Sequence, residues 1–159
     1  MTRSLRVVSL ENARNAIPVI AQWFCYQWPD WYGNSGPGDA LADLASWAEN
    51  GGLPLARVAL TGQGEPMGIA ALKETGQGAE HGVGPFLSAF YVPPAYRRQG
   101  IGLSLIHAIE EAARDLSFPA IYAATDGARS LLQKAGWREM GLTSFSERGE
   151  LHLLQMDLS

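Results

Sequence analysis

The chain is expected to be a mixed α/β domain, and three features of its sequence point there. Short runs with two-residue periodicity alternate with longer runs of helical periodicity. Two strand-like runs are joined by the turn T-G-Q-G-E-P, the mark of a hairpin, whereas others are separated by a helix. Hairpins and crossovers together exclude a doubly wound parallel sheet. Glycine clusters at 33–38, 51–52, 62–68 and 76–84 each separate two patterned segments, so they read as turns inside one domain spanning 1–159.

The elements follow in order. Residues 4–10 alternate and make a first strand. From 15 to 28, Ile17, Ile20, Ala21, Phe24 and Trp28 fall at helical spacing; Asn15 is placed to cap, and Pro18 is tolerated in the first turn. Residues 29–38 form an aromatic-rich loop. A second helix starts at Asp39, with Leu41, Leu44, Ala45 and Ala48 on one face and Gly51 as its stop. Strands are expected at 55–60, 67–72 and 86–92, the last closed by Pro93 and Pro94, which cannot donate to a ladder. The loop 74–85 precedes that third strand. The helix 101–116 has a stripe of Ile101, Leu105, Ile109, Ala112 and Leu116, with His107 on the opposite, solvated face. A strand at 120–124 leads to a helix capped by Asp126, which carries Ala128, Leu131, Leu132 and Ala135 and is closed by Gly136. Runs at 137–143 and 151–158 close the sheet, and His152 among leucines there is read as structural.

Composition narrows the function. At 159 residues and 17.2 kDa, with 47% apolar and 18% charged residues, there is material for one core. Twelve Lys and Arg against sixteen Asp and Glu give a net charge of −4, the wrong balance for a general nucleic-acid binder. The one cysteine, Cys25, excludes an intramolecular disulfide and a cysteine-rich metal site; it is read as a filler beside Trp23 and Phe24. No run approaches the roughly 20 apolar residues of a membrane span, and the start lacks a continuous signal core. The expectation is a cytoplasmic protein with no membrane, nucleic-acid or metal partner.

The informative stretch is F-L-S-A-F-Y-V-P-P-A-Y-R-R-Q-G-I-G-L, residues 86–103. A buried strand runs into a basic, glycine-punctuated turn that opens into a helix. The first amides of that helix have no partners and carry the positive end of its dipole. With Arg97 and Arg98 they suit a pyrophosphate. A Walker loop is excluded because no Gly-Lys pair exists, and a dinucleotide fingerprint needs three glycines in the first β-α unit.

V-P-P-A-Y-R-R-Q-G-I-G resembles the acetyl-CoA signature of the GNAT acetyltransferase superfamily, [R/Q]-x-x-G-x-[G/A], with Arg97, Gly100 and Gly102 at its key positions. T-D-G-A-R-S-L-L-Q-K-A-G-W is similar to the family's second block, keeping Ala128, Leu131, Gly136 and the aromatic Trp137. The resemblance covers about 5–158. It implies a mostly antiparallel sheet splayed between the fourth and fifth strands, with acetyl-CoA between them. It places the cofactor on Phe90, Tyr91, Val92, Arg97, Arg98, Gln99, Gly100, Ile101, Gly102 and Leu103, with Arg129 or Lys134 near the 3′-phosphate. Two positions depart from the pattern. Thr125 stands for the usual Asn, and Leu132 stands where many members have a proton-donating tyrosine.

The implied reaction moves an acetyl group to an amine. Glu80 and His81, in the loop before the fourth strand, are the candidate bases, and Ser130, Tyr122 or water would protonate the leaving thiolate. Trp28, Trp31 and Tyr32, with Asp30 nearby, are expected to form the acceptor pocket through cation–π and charge contacts. For Trp23 and Trp28 core packing is the competing reading. The acceptor is a small-molecule or peptide amine, and a homodimer is plausible from the resemblance alone. The rival function is a non-catalytic acyl-CoA sensor or interaction module.

Overall fold

The computed structural model describes residues 5–49, 51–146 and 149–159. The chain runs β1 (Leu5–Ser9), α1 (Ile17–Gln27), α2 (Pro29–Tyr32), α3 (Ala40–Glu49), β2 (Leu55–Thr61), β3 (Pro66–Lys73), β4 (Phe86–Tyr91), α4 (Ile101–Asp115), β5 (Ala120–Thr125), α5 (Arg129–Lys134), β6 (Arg138–Ser146) and β7 (Gly149–Asp157). Ser4, the expected start of the first strand, lies outside the described residues. The seven strands form one sheet in the order β1-β2-β3-β4-β5-β7-β6, antiparallel throughout except for β4 and β5. This is the mixed, mostly antiparallel sheet flanked by helices that the sequence pointed to.

Two apolar layers fix which face meets which helix. Along β3, Ile69 and Ala71 join Ile20, Phe24 and Leu44 of α1 and α3 on one face. Ala70 and Leu72 join Leu105, Ile106 and Ile109 of α4 on the other. Alternation therefore buries β3 on both sides, as expected for an inner strand. The hairpin between β2 and β3 is held by Thr61, whose Oγ1 accepts the amides of Gln63 at 3.2 Å and Glu65 at 3.1 Å.

Several boundaries differ from the sequence reading. Arg14–Ala16 is a 3-10 turn running straight into α1, and Ala16 is already helical at φ −84 and ψ −12. No extended residue exists there for a cap, so Asn15 does not act as one. Within the expected loop 29–38, Pro29–Tyr32 forms one helical turn, started by the preset φ of Pro29. In α3, Asp39 does cap, its Oδ1 accepting the Ala42 amide at 3.1 Å. Its buried face is Ala40, Leu44, Trp47 and Ala48, while Leu41 is 55% exposed. Burying the large Trp47 ring turns the helix away from the expected stripe. α4 ends at Asp115, which leaves Leu116 exposed beyond it. Its core face is wider than the expected stripe, adding Ile106, Glu110 and Ala113.

At α5 the sequence named the wrong cap. Ala128 donates its amide to Thr125 Oγ1 at 3.1 Å, and no side-chain bond from Asp126 is made at the N-cap. The helix ends before Gly136, in the left-handed region at φ 95. Trp137 is buried ahead of β6 rather than within it, and its Nε1 donates to the buried carboxylate of Glu110 at 2.8 Å. The closing hairpin reaches further than expected, to Ser146 and from Gly149.

Candidate active site

β4 and β5 come into register at one pair, Phe86 and Tyr122, where the Tyr122 amide donates to the Pro85 carbonyl at 3.0 Å. Beyond it the strands part, leaving the Phe90–Tyr91 end of β4 and the Ala124–Thr125 end of β5 without cross-strand partners on each other. β4 also carries a bulge. Ile69 faces Tyr91 while Ala71 faces Ser88, so β4 has one extra residue, and Ala89 takes φ 50. The bulge interrupts the ladder in the splayed stretch, just before Phe90.

The turn after β4 brings two arginines to the start of α4. Arg97 donates through Nε to the Val92 carbonyl at 2.8 Å, and its guanidinium lies 5.9 Å from the Tyr91 ring centre. Arg97 thus braces the turn. Arg98 is exposed at φ 63, and Gly100 follows at φ 78. The first α4 bond runs from the Ser104 amide to the Gly100 carbonyl at 3.1 Å. The amides of Ile101, Gly102 and Leu103 are therefore the helix's N-terminal donors with no carbonyl one turn back. The Ile101 side chain is buried, so that residue meets a ligand through its backbone. Gln99 is exposed, with its side chain turned to the Ala95 carbonyl at 3.4 Å.

The glycine at 102 is needed for packing. A Cβ there would stand 2.8 Å from Leu131 Cδ2 and 3.3 Å from Phe90 Cζ. At position 100 a Cβ would meet nothing within 4 Å, and it is the backbone at φ 78 that favours glycine. Together these elements fit a diphosphate with an extended, amide-bearing arm. The turn and helix start take the charge, and the splayed strand end takes the arm.

The loop 74–85 crosses the sheet on the α1 face. Gly76 lies beside Ser88 and Phe86 on β4, and Gly78 beside Leu153 on β7. The 3-10 turn Ala79–His81 then docks on β6. Ser144 donates to Glu80 Oε2 at 2.7 Å, and His81 Nε2 sits 2.7 Å from the Thr143 carbonyl oxygen. The Ser144 bond is the main reason that the Glu80 carboxyl lies below its ordinary range, with backbone amides and His81 adding to it. Glu80 and His81 are thus brought together, 3.9 Å apart. Ser130 is exposed on α5, against the opposite face of the sheet, and does not join them. Sequence reasoning missed Thr143 and Ser144, because nothing local links 80–81 to a strand more than sixty positions on.

The aromatic residues differ in what they touch. Tyr32 stacks on Phe24 at 5.5 Å and donates its hydroxyl to Asp43 Oδ2 at 2.7 Å. Burial and the Asp43 carboxylate hold that phenol protonated well above its ordinary range. Trp31 is 54% exposed and covers Gly38. Trp28 packs edge-on to Phe24 at 5.2 Å and reaches Tyr91 at 6.3 Å. Trp23, whose competing reading is core packing, also meets Tyr91, at 5.8 Å. Trp23 and Trp28 therefore reach the Tyr91 end of β4, while Tyr32, packed against the same core cluster, is tied to Asp43. Lys73 sits 4.4 Å over Trp47, and burial lowers its ammonium pKa against the pull of Asp43.

A cavity of about 230 Å³, lined in part by Trp47 of α3, Arg57 of β2 and Ala112 of α4, involves none of the residues of this cleft. Among the described residues no group of His, Cys, Asp and Glu is placed to hold a metal, and no helix is long and apolar enough to cross a membrane.

A sheet opened between two parallel strands, with an anion-binding turn at the head of the opening, defines an acyltransferase of the acetyl-CoA-dependent N-acetyltransferase class. The chain belongs to the acetyltransferase (GNAT) family, whose model matches residues 20–137. No curated protein sequence matches it. Among solved structures it is similar to an aminoglycoside 6′-N-acetyltransferase complexed with coenzyme A, at 13% identity and TM-score 0.76 over 97% of both chains. It is also similar to a spermidine/spermine N-acetyltransferase from Vibrio cholerae, at 16% identity and TM-score 0.70 over 98% of this chain and 95% of the other. An N-acetyltransferase from Staphylococcus aureus Mu50 shares 19% identity and TM-score 0.70 over the full length of both. At these identities the likeness speaks for the fold.

Proposed function

We propose that the chain, working as one domain over 1–159, transfers the acetyl group of acetyl-CoA to a primary amine of a small molecule or peptide by direct attack. The observation that carries this reading is the splay that opens beyond Phe86 and Tyr122 and ends at the helix-start amides of Ile101, Gly102 and Leu103. In it the pyrophosphate rests on those amides and on Arg98, with Arg97 and Gln99 holding the turn. Phe90, Tyr91 and Val92 offer backbone groups to the pantetheine arm, and Gly100 and Gly102 give the turn and helix their close approach. The bound thioester supplies an acyl group with a thiolate as leaving group.

The chain's own groups then act on charge and protons. A backbone N–H of the bulged stretch donates to the thioester oxygen as negative charge grows there. Glu80 and His81 take the proton from the attacking amine, directly or through water. Leu132 is buried and has no proton to give, so the departing sulfur is served by the Ser130 hydroxyl or by water. Trp28 and Trp31 line the acceptor side and favour a cationic amine, with Trp23 beside them. Tyr32 supports that wall through Asp43. The similar structures named for aminoglycoside and spermidine/spermine acetylation make those two amine classes the first to test. Metal, nucleic acid and membrane have no part in this reading, which places the enzyme in the cytoplasm and admits a homodimer.

The test is thiol release from acetyl-CoA in the presence of polyamines, aminoglycosides, amino acids and short peptides. Saturable turnover on at least one amine is expected. Saturable coenzyme A binding with no turnover on any of them would leave the acyl-CoA sensor as the function.

A further inference from the structure

We infer that Ser144 is a positioning residue for the proposed reaction, holding the Glu80 carboxylate oriented beside His81 so that the pair meets the acceptor from β6. This rests on the acetyltransferase reading above and adds to it the strand that sets the pair's geometry.

Glu80 and His81 lie in a loop, and loop residues by themselves are poorly fixed. Here two bonds of 2.7 Å tie this loop to β6, one to each residue. Ser144 lies opposite Leu151 in the β6–β7 hairpin, and Thr143 lies opposite His152. The Ser144 side chain is 3% exposed, so its hydroxyl has a fixed place and Glu80 is the outer, solvent-facing partner. The Gln77 amide oxygen stands further off, at 3.5 Å from the same hydroxyl. A serine hydroxyl has one proton, and the shorter contact takes it.

His81 is oriented by the same strand. A carbonyl oxygen only accepts, so the bond to Thr143 makes Nε2 the protonated nitrogen of the neutral ring. Nδ1 is then the acceptor nitrogen. Among the described residues, the titratable group facing the Glu80 carboxyl is His81, and that carboxyl also meets Ser144, its own backbone amide and that of Gly78. In the transfer, the amine nitrogen bonds to the acyl carbon and the carbon–sulfur bond breaks with its pair going to sulfur. The amine proton goes to Glu80 and His81, and a proton from Ser130 or water goes to sulfur.

The experiment compares wild type, Ser144→Ala, Ser144→Thr and Glu80→Gln, with acetyl-CoA and whichever panel amine turns over. Ser144→Ala is expected to lower kcat about tenfold, as for one lost hydrogen bond to a charged group. The KM for acetyl-CoA should stay within about twofold, and Ser144→Thr should restore most of kcat. Carboxyl-detected NMR should show the Glu80 pKa rising toward its ordinary value in Ser144→Ala, with the acid limb of the rate profile moving up in step. Nitrogen-15 NMR of His81 should show the Nε2-protonated form. An unchanged kcat and Glu80 titration in Ser144→Ala, alongside active wild type, overturns the positioning role alone. No turnover by wild type on any amine overturns the acetyltransferase reading and this role with it.

Discussion

Arg97 reaches back across the turn that follows β4 and closes on the Val92 carbonyl, Nε to oxygen 2.8 Å. The two arginines of the signature therefore divide the work. Arg97 shapes the turn through this bond, and Arg98, exposed one residue on, is proposed to meet the pyrophosphate.

Arg98→Ala is accordingly expected to weaken coenzyme A binding about tenfold through loss of a charge-assisted contact. Pantetheine, which lacks the pyrophosphate, should bind within about twofold of wild type. Isothermal titration with both ligands checks this, and equal losses for the two would contradict the assignment.

The two glycines should fail differently when changed to alanine. Gly100→Ala places a Cβ in open space but at φ 78, a strain of about 1–2 kcal/mol. Gly102→Ala pushes on Leu131 at 2.8 Å and Phe90 at 3.3 Å, an overpacking of about 1–3 kcal/mol that Leu131 relieves by moving. Denaturant unfolding should show both losses, and only Gly102→Ala should disturb the Leu131 methyl signals.

Tyr32 makes alkaline stability a readout of its bond to Asp43. Its folded-state pKa is raised by burial first and by the Asp43 bond second. The native state thus keeps a proton that the unfolded chain loses above about pH 10. That contribution is complete below this pH and declines as pH climbs above it. Tyr32→Phe should be less stable by about 1 kcal/mol at neutral pH and should lack that alkaline decline. Unfolding free energies from pH 7 to 11 test it.

Trp137→Phe should leave the buried Glu110 oxygen without its donor, at a cost of about 1–3 kcal/mol. Glu110→Gln in the wild-type background, which keeps an acceptor oxygen, should cost less. A double-mutant cycle measured by thermal unfolding gives the coupling between them.

Much of the architecture could be read along the chain because its signals are local. The apolar runs of β2 and β3, the turn T-G-Q-G-E-P, the stripe of α4 and the stop at Gly136 each depend on residues within one turn or hairpin. The turn into α4 was legible for the same reason, since its arginines, glycines and helix start are contiguous from 97 to 103. The misjudged caps at Asn15 and Asp126 show the limit of that locality. Both are good capping types, but Ala16 was already helical and Thr125 already held the Ala128 amide. Leu41 was misplaced because the burial of Trp47, set by what α3 packs against, outweighed the spacing of smaller residues.

The order of the aromatics was hidden from the sequence as well. Trp28, Trp31 and Tyr32 look alike in composition, yet Tyr32 is tied down by Asp43 while Trp28 reaches Tyr91. Which ring overhangs the cleft depends on how α1 and α2 sit on the sheet.

The sequence by itself determined the strand–turn–helix with its two arginines and open helix-end amides, because backbone conformation and helix-end donors follow from neighbouring residues. Tertiary structure alone decided that β4 and β5 part after Phe86 and Tyr122. It alone also brought Ser144 and Thr143 under Glu80 and His81. Those relations join segments dozens of residues apart, and the packing of loop and sheet, which no local pattern encodes, sets the distances between them.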